Sequence, residues 1–291
     1  MYLIIKLSLL VATTIGNTAG NTGDGSSTAL SSLAHHELSR ETKTASFSHQ
    51  KDSLTVLLDS YFNNEKKKDK AGHLMPTHYK WTQKDDGGYS KWGAVFNQMG
   101  AKTETSYDPP SKNTLKNASI YIITDPDIPK ENKDAKYMTK GYAEAIARWV
   151  ARGGVLVMMA NDSGNADIQH FNLLAGKFGF QFNEDSYNHV PGRNFDSGAV
   201  NIAEGNMIFK QSRRIYIKEL STIKLTGQAQ TVLEKNGHIV AVSARYGKGT
   251  VFAVGDPWFY NEYVNGRLPD SFENIKAMKE LTGWLLLNAG H

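Results

Sequence analysis

Three loops of the chain carry carboxyl, amide and phenol side chains, and each loop directly follows a short apolar run. Such groups bind polar ligands, and carboxyl and phenol groups also transfer protons. A purely structural role stays open for each loop, because Asp before Pro often forms a turn and Asn, Asp and Ser often cap helices. The residues are Asp125 and Asp127, then Asn161, Asp162 and Asn165, and finally Asp256, Trp258, Tyr260, Asn261 and Glu262.

A further polar and aromatic cluster, His78-Tyr79-Lys80-Trp81, follows the first apolar run. Aromatic faces beside hydrogen-bond donors suit sugars, although the same residues could form a lid packed over the core. Arg193 lies in another polar stretch, and its guanidinium could bind a carboxylate through two hydrogen bonds or stay solvated. The residue types therefore indicate acid–base chemistry on a polar, anionic ligand, or binding of one.

The composition excludes several other kinds of chemistry. The 291-residue chain has no cysteine, which excludes a disulfide scaffold, a thiolate metal site and a cysteine nucleophile. We expect no cofactor and no metal, since there is no dinucleotide-binding or phosphate-binding glycine motif, no Gly-x-Ser-x-Gly elbow and no His-Glu-x-x-His pair. Oxygen ligands spaced like Asp125, Asp127 and Asp162 are weak evidence for a metal. The net charge of +4 comes from 33 basic and 29 acidic residues, a balance that does not indicate nucleic-acid binding.

Apolar runs that alternate with helical patterns predict the fold that positions these loops. We expect an α/β fold with a doubly wound, mostly parallel sheet and an antiparallel extension between 180 and 254. Ligands of such folds bind at the carboxyl ends of the strands, where the polar loops lie. The predicted parallel strands are 54–58, 119–124, 155–160 and 250–254; the helices are 92–99 with Ser90 as N-cap, 142–150, 168–178 and 272–284; the extension has strands at 214–218, 231–234 and 238–244 and turns at 236–237 and 247–249.

The pattern of the N-terminal region predicts that the protein is exported. Residues 1–20 combine Lys6 with a short apolar run and small residues, which is typical of a signal peptide. Residues 21–51 are rich in Ser, Thr, Gly and His and indicate a flexible linker, which leaves 52–291 as a single domain. We therefore expect a periplasmic or secreted protein with no membrane association after signal removal.

Six motifs together resemble one known family. The motifs are 57–65, 78–81, 160–165, 182–186, 246–250 and 255–263. They resemble the glutamine-amidotransferase-like domain often appended to unsaturated rhamnogalacturonyl hydrolases of bacteria that degrade pectin and ulvan, and the match covers the chain from about Ser53 to its C-terminus. The amidotransferase cysteine is missing here, as is the helical barrel of those hydrolases, so neither activity carries over. The resemblance implies a flavodoxin-like or glutamine-amidotransferase-like fold and a link to uronate-containing polysaccharides.

The resemblance also implies a reaction. Hydrolases of this kind need a 4,5-unsaturated uronate, so the domain could make that group at the non-reducing end of an ulvan or pectin oligosaccharide, as a dehydratase or lyase. Elimination needs a base, a proton donor and groups that neutralise the uronate carboxylate. The candidate bases are His78 and Tyr260, the candidate donors are Glu262 and Asp162, and the candidate substrate-binding residues are Tyr79, Lys80, Trp81, Asp125, Asp127, Asn161, Asn165, Arg193, Asp256, Trp258 and Asn261.

Two alternatives stay open from the sequence. The chain could be a non-catalytic module that binds oligosaccharide or assists a partner enzyme, because a fold does not imply a function. It could also be a hydrolase of the same substrates. In each case the expected partner is a uronate-containing oligosaccharide, with a functional link to unsaturated-uronyl hydrolases.

Overall fold

A computed structural model describes residues 53–290 of the chain, so the predicted signal peptide (1–20) and linker (21–51) lie outside the described residues. The described part contains thirteen strands and five α-helices. The strands are β1 (Thr55–Asp59), β2 (Lys66–Lys68), β3 (Leu74–Pro76), β4 (Lys102–Ser106), β5 (Ile120–Thr124), β6 (Val155–Met159), β7 (Phe180–Phe182), β8 (Ala199–Ile202), β9 (Arg213–Tyr216), β10 (Ile223–Leu225), β11 (Gln230–Lys235), β12 (His238–Tyr246) and β13 (Gly249–Val254). The helices are α1 (Ser90–Gln98), α2 (Lys140–Ala151), α3 (Ile168–Ala175), α4 (Asn261–Val264) and α5 (Asn274–Ala289), with 3₁₀ turns at Gly176–Phe178 and Phe195–Gly198.

Nine of these strands form one mixed sheet. Five strands run parallel in the spatial order β4-β1-β5-β6-β13. Strands β12, β10 and β7 continue the sheet beyond β13 in antiparallel pairs, and β11 also pairs with β12. The α/β class, the mostly parallel sheet and the antiparallel extension predicted from the sequence are therefore confirmed.

The apolar runs became parallel strands because both faces of the sheet are covered. On one face, Val56, Leu58 and their neighbours pack in a core with Trp92 of α1 and Leu281 of α5. On the other face, Leu57 and its neighbours share a second core with residues of α2 and α3. No described helix is both long enough and apolar enough to span a membrane.

Several predicted details were wrong for identifiable reasons. Strand β4 was not predicted, because its residues are polar. It lies at the edge of the sheet, where charged residues discourage pairing with other chains. The predicted strand 214–218 overlaps β9, which pairs with β8 in a separate two-stranded sheet. Ser90 is the first helical residue of α1 instead of its N-cap. Phe272 precedes α5, and Ile275 on that helix is exposed.

Candidate functional site

The chain leaves β1 and β5 toward opposite faces of the sheet, although the two strands are neighbours. The next α-helix after β1 is α1, which packs on one face, whereas α2 follows β5 and packs on the other. Loops that diverge in this way leave a crevice at the carboxyl ends of the strands, and open α/β sheets bind their ligands there. The candidate site therefore lies around this crevice.

A buried network of polar groups forms the floor of the crevice. Asp59 ends β1, and its Oδ2 accepts a hydrogen bond of 2.5 Å from the Tyr121 hydroxyl. Lys80 Nζ donates to the backbone carbonyl of Asn63 at 2.6 Å and to its Oδ1 at 2.8 Å. Burial raises the pKa of Asp59 to about 6 and lowers the pKa of Lys80 to about 8. Lys80 is buried, and its ammonium group is hydrogen-bonded to Asn63. It therefore stabilises the loop and is not available as the substrate-binding residue predicted from the sequence.

Two aspartates from the loop after β5 form one wall. Asp127 Oδ2 accepts hydrogen bonds from Asn64 N at 2.9 Å and Asn132 Nδ2 at 2.6 Å. Its Oδ1, like the Oδ1 of Asp125, is buried without a hydrogen-bond partner among the described residues. Burial raises the pKa of both carboxyl groups; the charge of Glu131 raises that of Asp125 further, while contact with the Asn161 side chain lowers it. The wall therefore favours neutral carboxylic acids that can donate a proton.

The backbone at this wall is strained. Three residues other than glycine adopt left-handed conformations at the rim: His78 (φ 55°), Tyr79 (φ 54°) and Asp125 (φ 45°). Each such residue costs about 1–2 kcal/mol, and strain of this kind concentrates at functional sites. His78 Nδ1 lies 2.7 Å from Glu65 Oε1, and this hydrogen bond raises the pKa of His78. The strained turn places the imidazole at the edge of the crevice with an orienting carboxylate.

The loop after β13 forms the opposite wall. Asp256 is buried, and its Oδ1 also has no hydrogen-bond partner within the described part of the chain. Burial raises the pKa of Asp256 well above its ordinary value; the charge of Lys218 lowers it and that of Asp162 raises it. The Tyr79 ring lies 5.3 Å from the Tyr89 ring and 5.9 Å from the Tyr260 ring, measured between centroids. Charges on both Asp125 and Asp256 raise the pKa of Tyr79 in addition to burial, which places this ring near both acids.

The 78–90 and 256–262 segments are therefore in direct contact. The Asn261 side-chain Nδ2, which carries two protons, lies within hydrogen-bonding distance of three oxygens of the first segment: Gln83 O at 3.1 Å, Asp85 O at 2.8 Å and Ser90 Oγ at 2.9 Å. A backbone hydrogen bond of 2.8 Å also joins Glu262 N to Asp86 O. These bonds hold the two loops in one arrangement around Tyr79 and Tyr260.

Three predicted sugar-binding residues instead hold the fold together. Trp81 donates from Nε1 to the Glu104 carbonyl at 3.0 Å and packs against aromatic residues of α1. Trp258 is fully buried and stacks on Phe259, with centroids 3.9 Å apart. Asn261 is buried and bonded as described above. None of the three presents a side chain to a ligand, because each is committed to internal contacts.

Hydrogen bonds to Asp162 stabilise the loop after β6. Asp162 accepts hydrogen bonds from Asn165 Nδ2 at 2.6 Å and Ser186 Oγ at 2.5 Å. Both carboxylate oxygens of Asp162 are thus occupied by hydrogen bonds within the protein. Asn161 lies at the start of this loop, and its side chain contacts the Asp125 carboxylate. Asp256 and Asp125 are therefore better placed than Asp162 to act as acids.

Arg193, together with Phe195 and Arg267, lines a separate cavity of about 380 Å³ whose lining includes none of the crevice acids. Arg267 forms an ion pair with Glu262, the second predicted proton donor. The Glu262 carboxylate is therefore already engaged by a guanidinium group. The cavity instead offers two guanidinium groups to an anionic ligand.

Sequence reasoning missed several residues of the site. Asp59 follows the strand-end rule and could have been found by it. Glu65 and Glu131 carry no such signal, although burial raises the pKa of Glu131 to about 7 with the charge of Glu65 adding to this. Arg267 is also recognisable only from its place in the cavity. Within residues 53–290 no three His, Asp or Glu side chains are grouped so that they could hold a metal ion.

Comparison with known proteins shows similarity of fold. No family model and no curated protein matches the chain. The mmIFT52 N-terminal domain has a TM-score of 0.59 and 16% identity, over 80% of this chain and 97% of that domain. The cytoplasmic protein STM1381 from Salmonella typhimurium LT2 has a TM-score of 0.51 and 15% identity, over 80% and 99%. The exo-β-1,4-mannosidase Op5Man5 from Opitutaceae bacterium strain TAV5 has a TM-score of 0.45 and 16% identity; 81% of this chain spans 36% of that chain.

Proposed function

We propose that the chain is a carbon–oxygen lyase, a dehydratase that forms a 4,5-unsaturated uronate at the non-reducing end of uronate-containing oligosaccharides such as those of ulvan or pectin. One observation carries this proposal. Two buried carboxyl groups, Asp125 and Asp256, lie near Tyr79 at the carboxyl rim, each with an unpartnered oxygen and a raised pKa. Carboxylic acids kept neutral by their surroundings are the usual proton donors of such sites.

The residues supply the parts that an elimination needs. A base removes the C5 proton, the C5–H electron pair becomes the C4–C5 double bond, and the C4–O bond breaks. The departing hydroxide takes a proton from an acid and leaves as water. His78, oriented by Glu65, is the better base, because burial raises the pKa of Tyr260 and so disfavours its phenolate. Asp125 and Asp256 replace Glu262 and Asp162 as the proton donors.

The uronate carboxylate needs a cation or a strong hydrogen-bond donor beside it, since the C5 proton is acidic only when that charge is neutralised. This carboxylate is bonded to C5, so its partner must lie in the crevice, where Lys80 is buried. We assign the part to whichever of the two acids, Asp125 or Asp256, does not protonate the leaving group. The cavity lined by Arg193, Phe195 and Arg267 would then hold a neighbouring anionic residue of the oligosaccharide. The ion pair between Arg267 and Glu262 ties this cavity to the loop that carries Tyr260.

The finer fold assignment is part of the same proposal. Numbered along the chain, the parallel strands have the spatial order 2-1-3-4-5, which is the order of flavodoxin-like folds. We therefore infer a doubly wound flavodoxin-like or glutamine-amidotransferase-like domain. An exported protein of this kind would supply unsaturated-uronyl hydrolases with their substrate in the periplasm or outside the cell.

The second candidate function is a non-catalytic module that binds oligosaccharide for a partner enzyme. It is favoured by the cavity lined by Arg193, Phe195 and Arg267, which offers guanidinium groups and an aromatic face to an anionic sugar without any proton donor. A binding module needs no proton donor, so the strained turn and the unpartnered acids would then have no chemical purpose.

Incubation with substrate separates the two functions. We expect the full chain to generate absorbance of the conjugated C4–C5 double bond from uronate-ended pectin or ulvan oligosaccharides. The matched control is the same oligosaccharide with its terminal carboxyl group reduced to an alcohol, which should give no signal. Saturable binding without absorbance or new reducing ends would assign the chain to the binding module, and new reducing ends alone would assign it to hydrolysis.

A further inference from the structure

A second cavity lies at the opposite edge of the sheet from the candidate site. It has a volume of about 390 Å³ and lies at the amino ends of β5 and β6, beside Ser119 and Gly154. A cavity of this size is in the range of small-ligand sites. Neither the proposed elimination nor any residue of the crevice involves this edge.

Three cations surround the cavity. Lys112, Lys116 and Arg152 line it and are exposed, and no carboxylate is among the lining residues. No ion pair or side-chain hydrogen bond engages these three groups in the described part of the chain. Arg152 directly follows α2, whose carboxyl end carries about half a negative charge. Three full positive charges outweigh that half charge, so the cavity attracts anions.

The remaining walls are apolar and firmly packed. Leu115 and Trp149 are buried, and Ala118 and Ala289 complete the lining. A Cβ atom on Gly154 would lie 2.4 Å from the Trp149 ring, so this contact requires glycine. The packed walls give the cavity a fixed shape, and the three cations lie around it.

We propose that this cavity binds a sulfated or uronic-acid sugar residue of a polyanionic glycan. Three cations around one cavity match a residue with several anionic oxygens, and the volume exceeds what a free sulfate ion fills. Single-stranded nucleic acid is disfavoured, because it binds by stacking its bases on exposed aromatic rings. The one aromatic residue that lines this cavity, Trp149, is buried.

Binding of dextran sulfate oligosaccharides to the full chain tests this proposal. We expect binding that weakens as salt is added, since exposed charges are screened. The triple variant Lys112→Gln/Lys116→Gln/Arg152→Gln should lose about tenfold or more in affinity. The matched control, Lys66→Gln/Lys68→Gln/Lys70→Gln, removes the same charge from exposed positions elsewhere and should bind as the parent chain does.

Several outcomes would overturn the proposal. They are no binding by the parent chain, equal losses in the two triple variants, or loss only in the control. Displacement by inorganic sulfate at an equal concentration of sulfate groups would show a simple anion site instead of a glycan site. Equally tight binding of single-stranded DNA, lost in the same variant, would show a nucleic-acid site. Melting temperatures of both variants separate loss of binding from loss of fold.

Discussion

Replacement of both Asp125 and Asp256 by Asn is expected to remove turnover and, at neutral pH, to stabilise the fold. Removal of a general acid typically costs 10²–10⁴-fold in rate, so we expect a loss of at least about 100-fold in kcat/KM for the uronate-ended oligosaccharide. Asn keeps the shape of the side chain, and the single variants then show which acid protonates the leaving group. Initial rates of double-bond formation provide the measurement.

The gain in stability follows from the sign of the pKa shifts. Both carboxyl groups have a folded-state pKa above the unfolded value of about 3.9, because burial penalises the charged form. Their contribution to stability is complete below the unfolded pKa and is lost as the pH rises through the folded pKa. Asn does not ionise, so the melting temperature of the variant relative to the parent should increase from about pH 4 upward.

The control for both effects is Asp134→Asn/Asp270→Asn, which changes two exposed aspartates. This variant should keep its turnover and show no such pH-dependent gain. Full activity in the Asp125→Asn/Asp256→Asn variant would remove these residues as acids. A melting temperature that falls relative to the parent with rising pH would show that the ionised carboxylates stabilise the fold.

Asn261→Ala is expected to destabilise the protein strongly, although the sequence suggested a ligand contact at this position. The change leaves the oxygens of Gln83, Asp85 and Ser90 without their shared donor, and the Lys91 backbone N–H without the Oδ1 acceptor. An unsatisfied buried polar group costs about 1–3 kcal/mol, so we expect a loss of about 3 kcal/mol or more in the free energy of unfolding. Denaturant unfolding measures this loss.

Asn265→Ala is the matched control, because Asn265 is exposed and bonds Asp86 Oδ1 and Arg267 N. It should change the free energy of unfolding by less than about 1 kcal/mol. If Asn261→Ala unfolds at the same denaturant concentration as the parent but binds oligosaccharide more weakly, Asn261 is a ligand contact and our assignment of it as a brace is wrong.

The rim of the site could be predicted from the sequence, because the ends of buried strands can be recognised there. Continuous apolar runs need cover on both faces, which predicts parallel strands, and the carboxyl ends of parallel strands meet at one edge. Asp125, Asn161 and Asp256 were found in this way, since each follows such a run within two residues.

The direction of each side chain could not be predicted in this way. Trp258 and Lys80 are of types that serve equally as ligand contacts or as internal braces, and only the packing of distant segments decides between these. Trp258 meets Phe209, and Lys80 meets Asn63, through contacts that no local pattern records. The left-handed conformation of His78 was likewise not predictable, because no glycine marks that position in the sequence.

The protonation of Asp125 and Asp256 is the central claim, and carbon NMR of their labelled carboxyl groups tests it most directly. The full chain is titrated, and the two signals are assigned from the single Asn variants. We predict that both signals change at a pH clearly above the ordinary aspartate value of about 3.9. Titration of both groups near that ordinary value would contradict the proposed acids and the mechanism built on them.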